Sequence, residues 1–100
     1  MSSTGAEPTD ADIVRLEARV PESKALAALY ERSCFVCHGV RSSAPLAGFP
    51  QAWKSRLAQG QEVLLAHVRH GFKAMPPNGL CNDCSDDEFR QLIQFMSSPE

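Results

Sequence analysis

The 100-residue sequence predicts an all-α domain, and three observations carry that prediction. Side chains recur at three- and four-residue spacing, as in Val63, Leu64, His67 and Val68 and again in Phe89, Leu92, Ile93 and Met96. The segments holding them are bracketed by helix punctuation, with Pro21 and Gly71 as stops and Ser85 with Glu88 as a start. No stretch alternates apolar and polar residues as a half-buried strand would, and no internal repeat is present.

Taken in order, residues 1–9 are small and polar. A short helix is predicted over 10–20, capped by Asp10 or Asp12, with Ile13, Leu16 and Val20 on one face and Pro21 closing it. A second helix is predicted over 23–37, with Leu26, Leu29 and Tyr30 leading into two cysteines. Residues 39–50 read as loop, marked by Ser42, Ser43, Pro45, Gly48 and Pro50. Helices over 51–58, carrying Trp53, and over 61–70, stopped by Gly71, come next. A turn occupies 75–79, where Met75 is followed by Pro76, Pro77, Asn78 and Gly79. The last helix starts with a capping box of Ser85 and Glu88, and Asp86 and Asp87 suit the positive end of its dipole. This pattern divides the chain into an extension over 1–22 and one folded domain over 23–97.

The run Cys34-Phe35-Val36-Cys37-His38 carries the chemistry. Two thiols with two residues between them, and an imidazole immediately after, have the spacing that attaches a haem. The thiols add across the porphyrin vinyl groups, and the histidine takes the iron. Residues three and four apart share a helix face, so Cys34, Cys37 and His38 reach the same space. Gly39 stands where a helix ending just past the ligand wants it. The prediction is therefore one haem c, covalent through Cys34 and Cys37, with His38 as an iron ligand. It serves a chain of this length well, because a tethered macrocycle is an apolar centre around which few residues need pack.

Haem iron has a second axial position, and Met75 is the candidate for it. Pro76 and Pro77 limit the conformations its segment can sample. A thioether ligand favours reduced iron and so raises the potential. Met96 belongs to the apolar stripe of the last helix and reads as core. His67 and His70 are the rivals, but both lie near a predicted helix C-terminus, where an imidazole suits the dipole.

With these motifs in hand, the chain resembles a class I c-type cytochrome and, in detail, the bacterial cytochrome c5 group. The matching stretches are Ala44-Pro45-Leu46-Ala47-Gly48, Trp53, Arg56-Leu57-Ala58-Gln59-Gly60, Gly71-Phe72-Lys73-Ala74-Met75-Pro76-Pro77 and Cys81-Asn82-Asp83-Cys84-Ser85-Asp86-Asp87-Glu88. The resemblance implies a fold of four to five helices wrapped around one covalent haem. It implies His38 and Met75 as axial ligands, a disulfide between Cys81 and Cys84, and electron carriage in the periplasm. It implies that Pro45 offers its carbonyl to the second nitrogen of the ligating imidazole, and that Trp53 packs on the haem and reaches a propionate. The family has glycine eight residues before the first haem cysteine, where the first and last helices cross; Leu26 stands there instead. The loop after His38 is also a little short for the family.

The second CxxC cannot hold another haem by the same rule, since Ser85 replaces the histidine. A four-cysteine zinc site with Cys34 and Cys37 is an alternative, at a separation longer than the usual spacing. A redox-active dithiol lacks the βαβ context. A local disulfide is the preferred reading.

The net charge is −2, which shows no nucleic-acid bias. Residues 39–80 hold five basic side chains (Arg41, Lys54, Arg56, Arg69, Lys73) against Glu62 alone. Asp83, Asp86, Asp87 and Glu88 then reverse the sign. A basic ring around a haem edge would suit acidic, transient redox partners; the bland account is a solvated surface with acids serving the helix cap. No apolar run approaches the ~20 residues of a membrane span. No leader is visible, and the haem motif implies export before the present start. The expectation is a monomeric, periplasmic one-electron carrier and not an enzyme. The alternatives are a haem domain of a larger oxidoreductase, a ligand-binding or peroxidatic haem protein with a labile sixth site, and a zinc module.

Overall fold

The computed structural model describes residues 7–40, 42 and 44–98. Arg41 and Ser43 of the loop and residues 1–6 of the extension lie outside them. Among the described residues six α-helical elements occur in order: α1 (Asp10–Glu17), α2 (Lys24–Leu29), α3 (Phe35–His38), α4 (Pro50–Leu57), α5 (Gln61–His70) and α6 (Asp86–Ser97). Among the described residues there is no strand, only an isolated backbone bridge between Phe72 and Met75.

Helix α1 is capped by Thr9, whose hydroxyl accepts from the Asp12 amide while the Asp12 carboxylate accepts from the Thr9 amide. Asp12 is thus the partner of the cap and not the cap itself. The helix ends at Glu17, short of the predicted 20, and Val20 is 49% exposed rather than on the buried face. Pro21 is the reason, since the residue before a proline is pushed out of the helical region.

Ser23 caps the second helical run, which reaches His38 but changes winding on the way. A π-helical turn spans Tyr30–Cys34, and the Phe35 amide bonds the Tyr30 carbonyl five residues back. Inside it, the Ser33 hydroxyl donates to the Leu29 carbonyl, a side-chain bond that competes with the regular ladder. Such single turns recur at functional sites, and this one delivers the chain directly into the two cysteines. Pro50 opens α4 as its first residue instead of closing the loop, a position where its missing N–H costs nothing. The extent of α5 matches the predicted 61–70.

Helix α6 has the capping box over Ser85 and Glu88, and it buries Phe89, Leu92, Ile93 and Met96. Each of these is at most 3% exposed, so each contributes on the order of 1.5–3 kcal/mol of apolar burial. They join Tyr30, Cys34, Ala47, Trp53, Leu64, Leu65, Val68, Cys81 and Cys84 in the main core. Tyr30 meets Phe95 edge-on at 4.9 Å between ring centroids, and Leu26 packs against the same core. A second, smaller cluster joins Ile13 and Leu16 of α1 to Leu46 and Phe49 of the loop. Arg19 lays its guanidinium over Phe95, 4.5 Å from the ring centre.

Candidate functional site

His38 closes α3 and is 8% exposed. Its Nδ1 lies 2.8 Å from the Pro45 carbonyl oxygen, which can only accept, so Nδ1 carries the proton and Nε2 the lone pair. The loop is held for this contact: the Ala47 amide donates to the His38 carbonyl at 2.8 Å, and the Gly48 amide to Met96 at 2.6 Å. Burial pushes the imidazole's pKa down, opposed by the Pro45 bond and assisted by the nearby Arg56 charge, so the ring is neutral near pH 7. A neutral imidazole with one nitrogen fixed by a backbone carbonyl is how proteins present histidine to a metal.

Cys34 and Cys37 are both free, Cys34 buried and Cys37 exposed. Burial raises the Cys34 pKa, so its sulfur is a neutral thiol at pH 7. Trp53 is 5% exposed, with its ring centroid 5.8 Å from that of His38. Its indole N–H donates to the Leu46 carbonyl at 2.9 Å. This bond pins the loop beside His38.

Met75 is half-buried against the main core. Its backbone exchanges two bonds with Phe72, at 2.8 and 3.0 Å, making a four-residue turn with Lys73 at φ 54°. Gly79, at φ 52°, lies so close that a Cβ there would stand 3.1 Å from the Met75 methyl carbon. Of the rival histidines, His67 stacks on Phe72 at 4.1 Å and 16°, and His70 is exposed.

Cys81 and Cys84 are joined as a disulfide, with Cα atoms 5.5 Å apart. This overturns the four-cysteine zinc alternative. Among the described residues no three His, Cys, Asp or Glu side chains converge on a metal position. A metal at His38 must therefore bring most of its own donors, as a porphyrin does. The free thiols of Cys34 and Cys37 and the oriented His38 fit such a group, and Met75 could complete it.

The charges are more committed than their sequence order indicates. Arg69, counted among the basic ring, bonds Asp86 at 2.7 Å; Asp83 pairs with Arg32 and Asp87 with Arg90. The acids therefore serve pairs and the α6 cap, and the basic set near the loop is reduced to Lys54, Arg56 and Lys73 among the described residues. Sequence reasoning also missed the role of Arg69 as a three-way donor, because a lone arginine in a helix carries no pattern that marks its partners.

The family model for cytochrome c oxidase, cbb3-type, subunit III matches residues 21–96. Cytochrome c5 of Ectopseudomonas mendocina is 46% identical over 69 residues, which are 66% of this chain and 79% of that protein. Cytochrome c5 of Azotobacter vinelandii is also 46% identical, over 67 residues, 64% of this chain and 81% of that one. Among solved structures, a chain of the electron transfer complex of nitrite reductase with cytochrome c superposes with a TM-score of 0.65. It is 36% identical and covers 79% of this chain and 95% of that one. A helical fold built on a CxxCH run, with sequence and structure both matching these proteins, places the chain in the class I c-type cytochromes, in the c5 group, as an electron carrier with covalently bound haem c.

Proposed function

We propose that this cytochrome holds its haem through thioethers at Cys34 and Cys37, with His38 and Met75 as axial ligands, and shuttles single electrons between respiratory partners in the periplasm. The domain that does so spans residues 23–97, with residues 1–22 as an extension, and it acts as a monomer. The haem iron supplies the one-electron ferric–ferrous couple. The chain's own residues supply the rest. Pro45 keeps Nδ1 of His38 protonated and its ring in one orientation, which raises the basicity of Nε2. Trp53 holds the Pro45–Leu46 strand of loop in place through the Leu46 carbonyl. Leu64, Leu65 and Val68 of α5, all under 9% exposed, keep water from the interior, where a low dielectric favours the less charged iron state. The observation that carries the reading is the neutral, buried, carbonyl-tethered His38 directly after two free cysteines.

Electron transfer of this kind needs brief encounters, and weak redox interfaces are small. The exposed Lys54, Arg56 and Lys73 favour a docking partner that is acidic at its contact patch. The description of the matching family as an oxidase subunit favours a second setting for the same chemistry, as an electron-entry domain within a larger oxidoreductase. The intact mass of the native exported product separates the two settings.

The test of the ligand set is Met75→Ala in the holoprotein. Haem stays attached, the weak red charge-transfer band of sulfur-ligated ferric haem disappears, and the potential falls. An unchanged oxidised spectrum refutes Met75 as ligand. Prompt carbon monoxide binding by the reduced, unsubstituted protein refutes closed six-coordination and identifies a ligand-binding haem protein instead.

A further inference from the structure

Arg69 sits near the end of α5 and donates to three different segments at once. Its Nε reaches the Asp86 carboxylate at 2.7 Å, Nη1 the Asn78 side-chain oxygen at 3.2 Å and Nη2 the Cys84 carbonyl at 3.1 Å. The guanidinium lies over the Phe89 ring, 4.6 Å from its centre. A guanidinium presents its N–H groups in one rigid plane, so the three partners are held in a fixed relation to one another. Those partners are the turn after Met75, the disulfide loop and the first turn of α6.

The turn needs such an outside hold. Asn78, Gly79 and Leu80 take φ of 62°, 52° and 70° in succession, and for the two non-glycine residues this conformation persists only where surroundings impose it. Within the turn, Asn78 also donates to Asn82 at 3.4 Å, the Gly79 amide bonds Pro76 and the Cys81 amide bonds Asn78. Gly79 in turn bounds the space of the Met75 methyl. The line of contact runs from Arg69 to Asn78, to Gly79, to the thioether.

We propose that Arg69 is a positioning residue for Met75, fixing through Asn78 where the thioether stands relative to the haem site; this rests on the reading of Met75 as axial ligand. Arg90 is the internal control. It also makes several ionic bonds, to Glu62 at 3.1 and 3.3 Å and to Asp87 at 3.0 Å, and it also links α5 to α6. None of its partners lies in the 75–81 turn.

The experiment compares Arg69→Met, Arg69→Lys, Asn78→Gly and Arg90→Met in the holoprotein. Three quantities are read: amide hydrogen exchange over residues 75–81, the red charge-transfer band of the oxidised form, and the midpoint potential. Arg69→Met is expected to speed exchange at the Gly79 and Cys81 amides about tenfold, the scale of a lost hydrogen bond to a charged group. The band weakens and the potential moves in the direction seen for Met75→Ala. Arg69→Lys recovers part of each effect, since an ammonium keeps one of the three partners. Asn78→Gly, which tolerates the left-handed backbone and removes the side-chain links to Arg69 and Asn82, reproduces the change if Arg69→Met does not accumulate. Arg90→Met leaves all three readings in place. The proposal is overturned if Arg69→Met and Asn78→Gly leave the band and potential unchanged, or if exchange rises equally throughout the molecule. Should Met75→Ala itself spare the spectrum, the ligand assignment fails, while exchange over 75–81 still reports whether Arg69 holds the turn.

Discussion

Tyr30 offers a substitution that should strengthen the protein. Its ring is fully buried, packed edge-on against Phe95 at 4.9 Å and Phe35 at 6.0 Å, yet among the described residues its hydroxyl has no hydrogen-bond partner. In the unfolded chain water bonds that hydroxyl, so burying it unpaired costs about 1–3 kcal/mol. Tyr30→Phe keeps both ring contacts and removes the cost. A gain of about 1 kcal/mol is expected, which for a domain of this size raises Tm by roughly 4–8 °C. A second signature follows from ionisation. Burial, with a smaller contribution from Cys34 and an opposing one from Arg19, pushes the phenol up to about 12 from 10.0. The folded state thus holds this proton more tightly than the unfolded one. The associated stability is complete below pH 10 and drains away as pH rises toward 12. Two pH units correspond to at most about 3 kcal/mol, and less in the holoprotein, where a Cys34 thioether carries no charge. The assay is denaturant unfolding of oxidised holoprotein, wild type and Tyr30→Phe, at pH 7 and at a series of values between 10 and 12. The variant should be more stable at neutral pH and should lose less stability across the alkaline window. A Tyr30→Phe protein less stable than wild type, or one with the same alkaline fall, refutes the unpaired hydroxyl.

Ser85→Ala removes the hydroxyl that accepts from the Glu88 amide, and it should cost about 1 kcal/mol in denaturant unfolding without moving the potential. Trp53→Phe keeps a buried aromatic ring but leaves the Leu46 carbonyl with the Phe49 amide alone; a loss of about 0.5–1.5 kcal/mol is expected, together with a changed Nδ1–H resonance of His38 as the loop relaxes. Replacing Cys81 and Cys84 with serine opens a loop closed over a separation of three residues, so the entropic loss is small. Haem should still be incorporated and cycle between redox states; its loss would show that the disulfide is needed for more than holding the turn to α6.

The pairs of exposed charges deserve little weight in stability. Arg32 and Asp83 are 46% and 75% exposed, and solvent and salt screen pairs of that kind until little of their attraction is left. Arg32 holds the Asp83 carboxyl below the usual carboxylate range, so whatever it contributes is present at neutral pH and fades in acid. Arg69 differs because its fork spans three segments and its face covers Phe89. The distinction is one of geometry, and neither residue type nor sequence position reveals it.

What could be read from the chain was what repeats along it or sits within one turn of itself. The CxxCH run, the Ser85–Glu88 box, the α6 stripe and the extent of α5 are all local: a helix places residues three and four apart on one face wherever it lies. For the same reason the short-range errors were small, as with Thr9 capping where Asp10 or Asp12 was expected, because neighbouring polar side chains compete for the same few amides. Tertiary structure decided everything that depends on two segments meeting. It spent the Trp53 N–H on Leu46, brought the Pro45 carbonyl to His38, folded α1 onto Leu46 and Phe49, and gave Arg69 its three acceptors. Buried donors and acceptors must find partners in whatever the fold brings near. Those partners are set by packing of distant segments, which periodicity along one segment does not encode.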